Sequence, residues 1–247
     1  GIGAQSLGIA EAALREARNY AATRVQFGRS IDRFPAVADL LAEMRLAVAS
    51  GRALLYEAAL AADYEYLYED AKDRAEDRDE RTALNKEQKR YKRLAGFLTP
   101  VAKYWLSEMC NRVAYEAISV LGGSGYMQDY PLERLYRDAR ITTIYEGTSQ
   151  LQVVAAVRGV TSGTAEKRFA QMAEADPPQG FKGRAKRLAR LREKLDEAVT
   201  YLKKEQSADY MDLMARRLVD TTIDIYLGYL WLDMARQSKQ RAVLAKR

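Results

Sequence analysis

The 247-residue sequence contains no histidine and a single cysteine, Cys110. One cysteine excludes an internal disulfide, and without a Cys/His cluster the common zinc sites are excluded, so no metal site is predicted. If the chain performs acid–base chemistry, a carboxylate is therefore the expected agent.

Long apolar runs are also missing, and no signal-peptide pattern is present. We therefore predict no membrane span and a cytoplasmic location, with which the single cysteine agrees. The chain begins at Gly1 without an initiator methionine and soon enters helical periodicity. This beginning suggests a fragment of a longer protein.

Only five prolines occur, whereas 48% of the residues are hydrophobic. This balance predicts a sizeable core rather than disorder. Alanine, leucine, arginine and glutamate dominate and favour helix, and few stretches alternate with the period of two that strands require. The predicted fold class is all-α.

Helical spacing predicts a first helix over residues 4–26, with Gly28 as its C-terminal stop and Phe27 as a packing residue. Pro35 opens the second helix. Residues 63–93 contain ten acids and nine bases, which predicts a solvated helical hairpin. A capping-box pattern at Asn85 and Gln88 marks the predicted start of the returning helix. That helix is predicted to reach the Gly-rich turn at 122–125, with Pro100 as a candidate break.

Charge divides the chain unevenly. Residues 1–164 contain 22 basic and 22 acidic residues, whereas residues 165–247 contain 18 and 12. The change predicts a domain boundary near residues 161–164. Apolar stripes at helical spacing after it predict an accessory helical domain over residues 163–247. The basic stretch 182–194 is interpreted as a solvated helix face in preference to an anion-binding surface.

Three turns carry residues suited to chemistry, and an antiparallel bundle could bring some of them to one end. Arg24 suits a phosphate or an ordinary ion pair. The Gly-rich turn at 122–125 suits an anion such as a pyrophosphate or is a plain turn. The loop from Ile144 to Gln150 offers Glu146 as a base or is a helix-capping loop.

Several motifs occur together and in one order. They are Arg24-x-x-Phe27-Gly28, Leu41-Ala42-Glu43-Met44, Leu121-Gly122-Gly123-x-Gly125-Tyr126, Tyr130-Pro131-x-Glu133-x-Leu135-x-Arg137-Asp138 and Ile144-Tyr145-Glu146-Gly147-Thr148-Ser149-Gln150. With this ordered set the chain resembles the C-terminal helical domain of acyl-CoA dehydrogenases over about residues 1–160.

The resemblance implies an up-down four-helix bundle over residues 1–162, a homodimer or homotetramer, and FAD shared between subunits. It assigns one set of residues to the pyrophosphate and adenine side of a neighbouring subunit's FAD: Arg24, Gln26, Phe27, Ser119, Leu121, Gly122 and Gly123. It assigns Thr148 and Gln150 to the FAD of the same subunit, and Tyr145 and Gly147 to the substrate. Ser119 and Pro35 stand where many members have a glutamine, which is a departure from the family pattern.

The same resemblance makes Glu146 the general base that removes the α-proton of an acyl-CoA thioester. The backbone N–H of Glu146 would help to polarise the thioester carbonyl, and the product would be a trans-2-enoyl-CoA. Electrons would leave to an electron-transferring flavoprotein.

The sequence is also compatible with three other functions. An acyl-CoA oxidase differs only in oxygen access to the reduced flavin. A nucleic-acid-associated member would use the basic last third, although twelve acids are mixed into it. A purely structural helical scaffold would tolerate any change at Glu146.

Overall fold

The computed structural model describes residues 1–246. Helix α1 spans Ile2–Thr23 and buries a face of small and apolar residues at spacings of three and four. Its buried residues are Gly3, Ser6, Leu7, Ala10, Ala13, Leu14, Ala17 and Ala21. The predicted end at residue 26 was wrong, because Arg24 already has an extended backbone.

A two-residue hairpin follows α1. Strand β1 (Val25–Gln26) pairs antiparallel with β2 (Arg29–Ser30). The turn between them places Phe27 at φ 49° and Gly28 at φ 78°, and consecutive positive φ values are typical of tight hairpin turns. Gly28 therefore closes a hairpin and does not stop a helix. A 3₁₀ turn at Ile31–Arg33 leads to the second helix.

Two long helices come next: α2 spans Pro35–Arg74 and α3 spans Arg78–Leu121. The side chain of Asp77 accepts hydrogen bonds from the backbone N–H groups of Asp79 at 3.0 Å and Glu80 at 2.8 Å, and so caps α3. The predicted capping box was wrong, since Gln88 is a buried residue inside α3.

Helix α3 continues through Pro100 without a break. Proline removes one helical hydrogen bond and crowds the carbonyl four residues earlier. Here that residue is the exposed Gly96, whose carbonyl can turn to water.

The remaining elements are all helical. They are α4 (Gly123–Tyr126), α5 (Leu132–Ile141), α6 (Ser149–Thr161), α7 (Thr164–Ala173), α8 (Lys182–Glu205), α9 (Ala208–Gln237) and α10 (Lys239–Leu244). The all-α prediction is confirmed. No helix of residues 1–246 contains an 18-residue stretch apolar enough to cross a membrane.

The chain divides into two compact units. Unit 1 consists of residues 1–52 and 103–149, and unit 2 of residues 53–102 and the chain from Gln150 onward. The predicted boundary near residues 161–164 falls at the turn between α6 and α7 and stays a prediction.

In unit 1, α1 packs on α5, and α2 approaches α3 closely at Gly51. A Cβ atom at Gly51 would lie 2.7 Å from Leu106 and 2.9 Å from Met109, so a larger residue would push the helices apart.

In unit 2, α9 packs against α7, α8 and α10. Gly228 and Gly159 allow similarly close contacts, with Leu188 and Phe97 respectively. The charged ends of α2 and α3 meet through the rings of Tyr64, Tyr68 and Tyr91, with Tyr91 4.8 Å from Tyr64 and 5.5 Å from Tyr68 between ring centres.

Candidate functional site

The loop between α5 and α6 has an unusual backbone. Glu146 lies at φ 53° and Gly147 at φ 85°, both in the left-handed region. For a glutamate this conformation costs about 1–2 kcal/mol, so neighbouring groups have to hold it. The Glu146 side chain is exposed. The loop therefore presents a carboxylate on a strained backbone.

Lys103 of α3 holds this loop through hydrogen bonds to its backbone. Its Nζ donates hydrogen bonds to the carbonyl of Thr142 at 2.8 Å and to the carbonyl of Gly147 at 2.7 Å. The residue is only 8% exposed. Burial lowers the pKa of Lys103, while Glu108 and Glu146 act in the opposite direction. One buried ammonium group thus joins both ends of the loop.

Further bonds fix the flanks of the loop. The N–H of Ser149 donates to the carbonyl of Thr143 at 3.0 Å. Asn111 of α3 donates to the carbonyl of Ala139 at the end of α5 at 2.8 Å. The Tyr145 hydroxyl donates to Gln5 of α1. Contacts to α1 and α3 therefore set where Glu146 sits.

Sequence reasoning missed Lys103 and Asn111. With the buried Ser107 they form a polar row at four-residue spacing on α3, inside an otherwise apolar face. Ser107 donates to the carbonyl of Lys103 at 2.6 Å, and Asn111 donates to that of Ser107 at 2.8 Å. That periodic interruption of an apolar stripe is the signal that could have revealed them.

The Gly-rich turn after α3 is open on its outer side. Gly122 lies at φ 61°, and a Cβ atom at Gly122 or Gly123 would meet no atom within 4 Å. Ser119, Gly122 and Gly123 are exposed, whereas Leu121 is buried. Gly125 is different, since a Cβ atom there would lie 2.9 Å from the carbonyl oxygen of Ile118. The turn therefore offers exposed backbone to a ligand.

The hairpin after α1 is exposed as well. Arg24, Gln26 and Phe27 all face solvent, and Arg24 makes no ion pair within residues 1–246. The interpretation of Phe27 as a packing residue was wrong. Its ring is 93% exposed and meets only the edge of Phe34, at 6.3 Å between ring centres.

The structure brings the hairpin and the Gly-rich turn to one end of α1. Tyr20, one helical turn before Arg24, donates to the Ser124 hydroxyl at 3.2 Å and contacts the ring of Tyr130 at 5.8 Å. The Glu146 loop instead meets α1 at Gln5. Fifteen residues separate Gln5 from Tyr20, or about 22 Å along a helix.

The predicted residues after Glu146 lie where α6 begins. Thr148 and Gln150 are exposed on either side of the buried Ser149. The Ser149 hydroxyl has no hydrogen-bond partner among the described residues. A buried hydroxyl without a partner is uncommon in folded proteins.

Taken together, the described residues define an all-α protein with a rigidly held carboxylate at one end of α1 and an exposed anion-suited surface at the other. Residues 1–150 match the family described as "Acyl-CoA dehydrogenase, C-terminal domain", and residues 161–243 match "Acyl-CoA dehydrogenase C terminal". The chain belongs to the acyl-CoA dehydrogenase family, as the sequence motifs predicted.

Individual relatives agree with this assignment. The chain is 39% identical over 156 residues to the short-chain specific acyl-CoA dehydrogenase of Clostridium acetobutylicum, covering 62% of this chain and 33% of that protein. It is 36% identical over 152 residues to the CarC subunit of the caffeyl-CoA reductase–Etf complex of Acetobacterium woodii, with the same coverage. The chain thus spans about a third of the length of these relatives.

Among solved structures, the chain is similar to Caenorhabditis elegans ACDH-11, determined in complex with C11-CoA. The TM-score is 0.73 at 26% identity, and the match covers 99% of this chain and 40% of that chain. The similarity therefore extends over α7 to α10, beyond the region of the sequence motifs.

Proposed function

We propose that this chain carries the general base of an FAD-dependent acyl-CoA dehydrogenase, which converts an acyl-CoA thioester to a trans-2-enoyl-CoA. Glu146 is the proposed base. The carboxylate removes the α-proton of the thioester as the carbon–carbon double bond forms. FAD, when bound, supplies the acceptor for the hydride that leaves the β-carbon.

The observation that carries this proposal is the support of the Glu146 loop. A base works efficiently when its carboxylate is held in one place relative to the proton it removes. Lys103 fixes the carbonyls of Thr142 and Gly147, four and one residues from the base on either side. A simple helix-capping loop has no need of a buried lysine and an exposed glutamate at positive φ.

The described residues also fit FAD. Arg24 is exposed and without an ion pair, and Gly122 and Gly123 leave room for close approach to the backbone, as an anionic pyrophosphate requires. We assign Arg24, Gln26, Phe27, Ser119, Leu121, Gly122 and Gly123 to the pyrophosphate and adenine side. For the buried Leu121, only its main chain is suited to such a contact.

Thr148 and Gln150 are assigned to a second FAD, and Tyr145 and Gly147 to the substrate. The Glu146 loop contacts α1 at Gln5 and the Gly-rich turn contacts it at Tyr20, and these two points lie about 22 Å apart along the helix. This separation supports FAD molecules shared between subunits of a homodimer or homotetramer, in which each chain contributes to two sites.

We also propose that the chain functions as the C-terminal part of a longer enzyme that passes electrons to an electron-transferring flavoprotein. The coverage of about a third of each relative supports the first part. The second part is supported by the relative whose name places it in an Etf complex. The cytoplasmic location stays a prediction.

The test is Glu146→Gln in the complete enzyme, assayed with straight acyl-CoA thioesters of increasing chain length. The change keeps the size of the side chain but removes its basic oxygen. We expect turnover to fall by about 10²–10⁴-fold while the flavin absorbance of the purified enzyme is unchanged. Exchange of the substrate α-proton in deuterated water should stop as well.

Glu174→Gln is the matched control, since Glu174 is an exposed carboxylate at the end of α7. It should leave both turnover and proton exchange unchanged. Near-normal proton exchange in Glu146→Gln would assign the base to another residue and refute the proposal.

A further inference from the structure

Unit 2 contains a cavity that the proposed dehydrogenation does not use. It has a volume of about 570 Å³ and lies between one face of α3 and the start of α7. This volume is within the range of small-molecule sites, about 300–1,000 Å³. Its lining residues are Lys86, Lys89, Arg90, Arg93, Leu94, Ser162, Thr164, Lys167, Arg168 and Gln171.

The α3 wall of this cavity is a row of positive charge. Lys86, Lys89, Arg90 and Arg93 form pairs three residues apart (86 and 89, 90 and 93) and four residues apart (86 and 90, 89 and 93), so they share one helix face. Like charges at these spacings destabilise a helix. Among the described residues, no carboxylate lines the cavity to offset them. The face therefore carries an electrostatic cost that a bound anion would relieve.

Two of the six cations are already neutralised. Arg90 pairs with Glu87 at 2.7 Å. Arg168 pairs with Glu57 at 2.9 Å and lies 3.4 Å from the Tyr226 hydroxyl.

The other four cations, Lys86, Lys89, Arg93 and Lys167, form no ion pair in the described part of the chain. The acid in the first turn of α7, Glu166, is bonded instead to Arg192. Four positive charges thus surround the cavity without a partner.

The opposite wall adds uncharged polar groups that are hydrogen-bonded to each other. The hydroxyls of Ser162 and Thr164 lie 3.0 Å apart at the start of α7. Helix α7 begins after Gly163 with no side-chain cap on its first N–H groups. Uncapped N–H groups at a helix start favour a negative charge, so this wall complements the cations of α3.

We propose that this cavity, which we call the basic pocket, binds a small phosphate-bearing anion of the nucleoside diphosphate class. The four unpaired cations match the charge of a diphosphate. The guanidinium of Arg93 offers a planar surface to the attached base, and Leu94 adds an apolar residue to the lining of the cavity. A concave pocket suits a small molecule better than a nucleic-acid duplex, which requires an extended basic surface. This inference does not rest on the proposed dehydrogenation.

Calorimetric titration of the chain with pyrophosphate and with ADP at physiological salt tests the proposal. We expect both to bind with one site per chain. The double variant Arg93→Ala/Lys167→Ala should weaken both at least about tenfold, because charge-assisted hydrogen bonds are lost. The control Lys203→Ala/Lys204→Ala removes the same charge from the exposed end of α8 and should bind as the parent chain does. Circular dichroism checks that both variants are folded.

Two further titrations, one with the variant Arg24→Ala and one with duplex DNA, test whether the binding has another origin. ADP is also a part of FAD, so Arg24→Ala is titrated in parallel. Binding that is lost in Arg24→Ala but kept in Arg93→Ala/Lys167→Ala would overturn the proposal. A failure of both probes to bind the folded chain would do the same. Duplex DNA is the remaining probe. If it bound more tightly than ADP, and if Arg93→Ala/Lys167→Ala abolished that binding, the ligand would be nucleic acid and the proposal of a small anion would be wrong.

Discussion

Unit 1 buries one positively charged side chain and unit 2 half-buries another, but the two are neutralised in different ways. In unit 1, the Lys103 ammonium donates to two backbone carbonyls, those of Thr142 and Gly147. In unit 2, the Arg168 guanidinium is bonded to the carboxylate of Glu57 and to the phenol of Tyr226. One cation thus binds main chain, and the other binds side chains of distant helices.

The difference affects their ionisation. Burial lowers the pKa of Lys103, and the nearby Glu108 and Glu146 only partly oppose it. Burial acts on Arg168 in the same sense, but Tyr226 and Glu57 outweigh it and raise the pKa of Arg168. Because carbonyls satisfy the Lys103 ammonium, the shape of the loop does not require a carboxylate partner. In unit 1 the buried charge holds the Glu146 loop, and in unit 2 the half-buried charge joins helices.

The strongest test of this contrast is Lys103→Met in the complete enzyme. Methionine keeps most of the length of the side chain but leaves the carbonyls of Thr142 and Gly147 without their donor. Because a small displacement of a catalytic group costs about 10²-fold in rate, we expect turnover to fall by about that factor. The unpaired buried groups should also cost about 1–3 kcal/mol of stability, measured by urea unfolding.

Lys92→Met is the control for this change, because Lys92 is an exposed lysine of the same helix. It should leave turnover and the free energy of unfolding unchanged. If Lys103→Met also retained normal turnover, the loop would be held by its other bonds, and the proposed role of Lys103 would be wrong.

A smaller effect is expected from Glu57→Gln in unit 2. The change removes the carboxylate and leaves the Arg168 guanidinium with weaker neutral partners. Complete loss of a partner from a buried ion pair costs about 3–5 kcal/mol, and the side chains here are 25% and 20% exposed, so we expect about 2 kcal/mol. Urea unfolding measures the loss, with Asp63→Asn on the exposed face of α2 as the control.

Turnover at saturating substrate should not change in Glu57→Gln. A loss of turnover comparable to that of Lys103→Met would show that the charge of unit 2 also supports catalysis. The contrast between Lys103 and Arg168 would then fail.

Local sequence signals predicted the parts of the fold that local chemistry decides. Pro35 does begin α2, and α5 begins directly after Pro131. The end of α1 was missed because it depends on Phe27, a non-glycine residue, taking a positive φ. The start of α3 was missed because Asp77 is one of many acids in a charged stretch, and its capping role depends on geometry.

In the candidate site, too, consecutive residues were predictable and long-range partners were not. The Glu146 loop was visible as a motif because its residues are consecutive. The support beneath it was not, since Lys103 reaches carbonyls 39 and 44 residues away. The Arg168–Glu57 pair joins residues 111 apart. Such partners follow from tertiary packing, which the sequence pattern does not specify.

The last prediction compares two buried weak acids, Cys110 in unit 1 and Tyr226 in unit 2. Burial raises the pKa of the Cys110 thiol from 9.0 to about 12, against a small opposing effect of a backbone bond from Ala10. Burial also raises the pKa of Tyr226 above its ordinary value of 10.0, with Glu57 adding to the shift and Arg168 opposing it. As the pH rises, the loss of stability due to the Cys110 thiol should therefore begin at a lower pH than the loss due to the Tyr226 phenol.

The sign follows from proton binding. Above pH 9.0 the unfolded chain loses the Cys110 proton and the folded chain keeps it, so this contribution to stability is complete below pH 9.0 and is lost as the pH rises towards about 12. Urea unfolding of the parent chain and of Cys110→Ala at increasing pH isolates the effect, because every other group titrates in both. Above pH 9.0, the free energy of unfolding of the parent chain should fall relative to that of Cys110→Ala by up to about 1.4 kcal/mol per pH unit. A difference that is constant with pH would mean that the thiol is accessible to solvent in the folded chain.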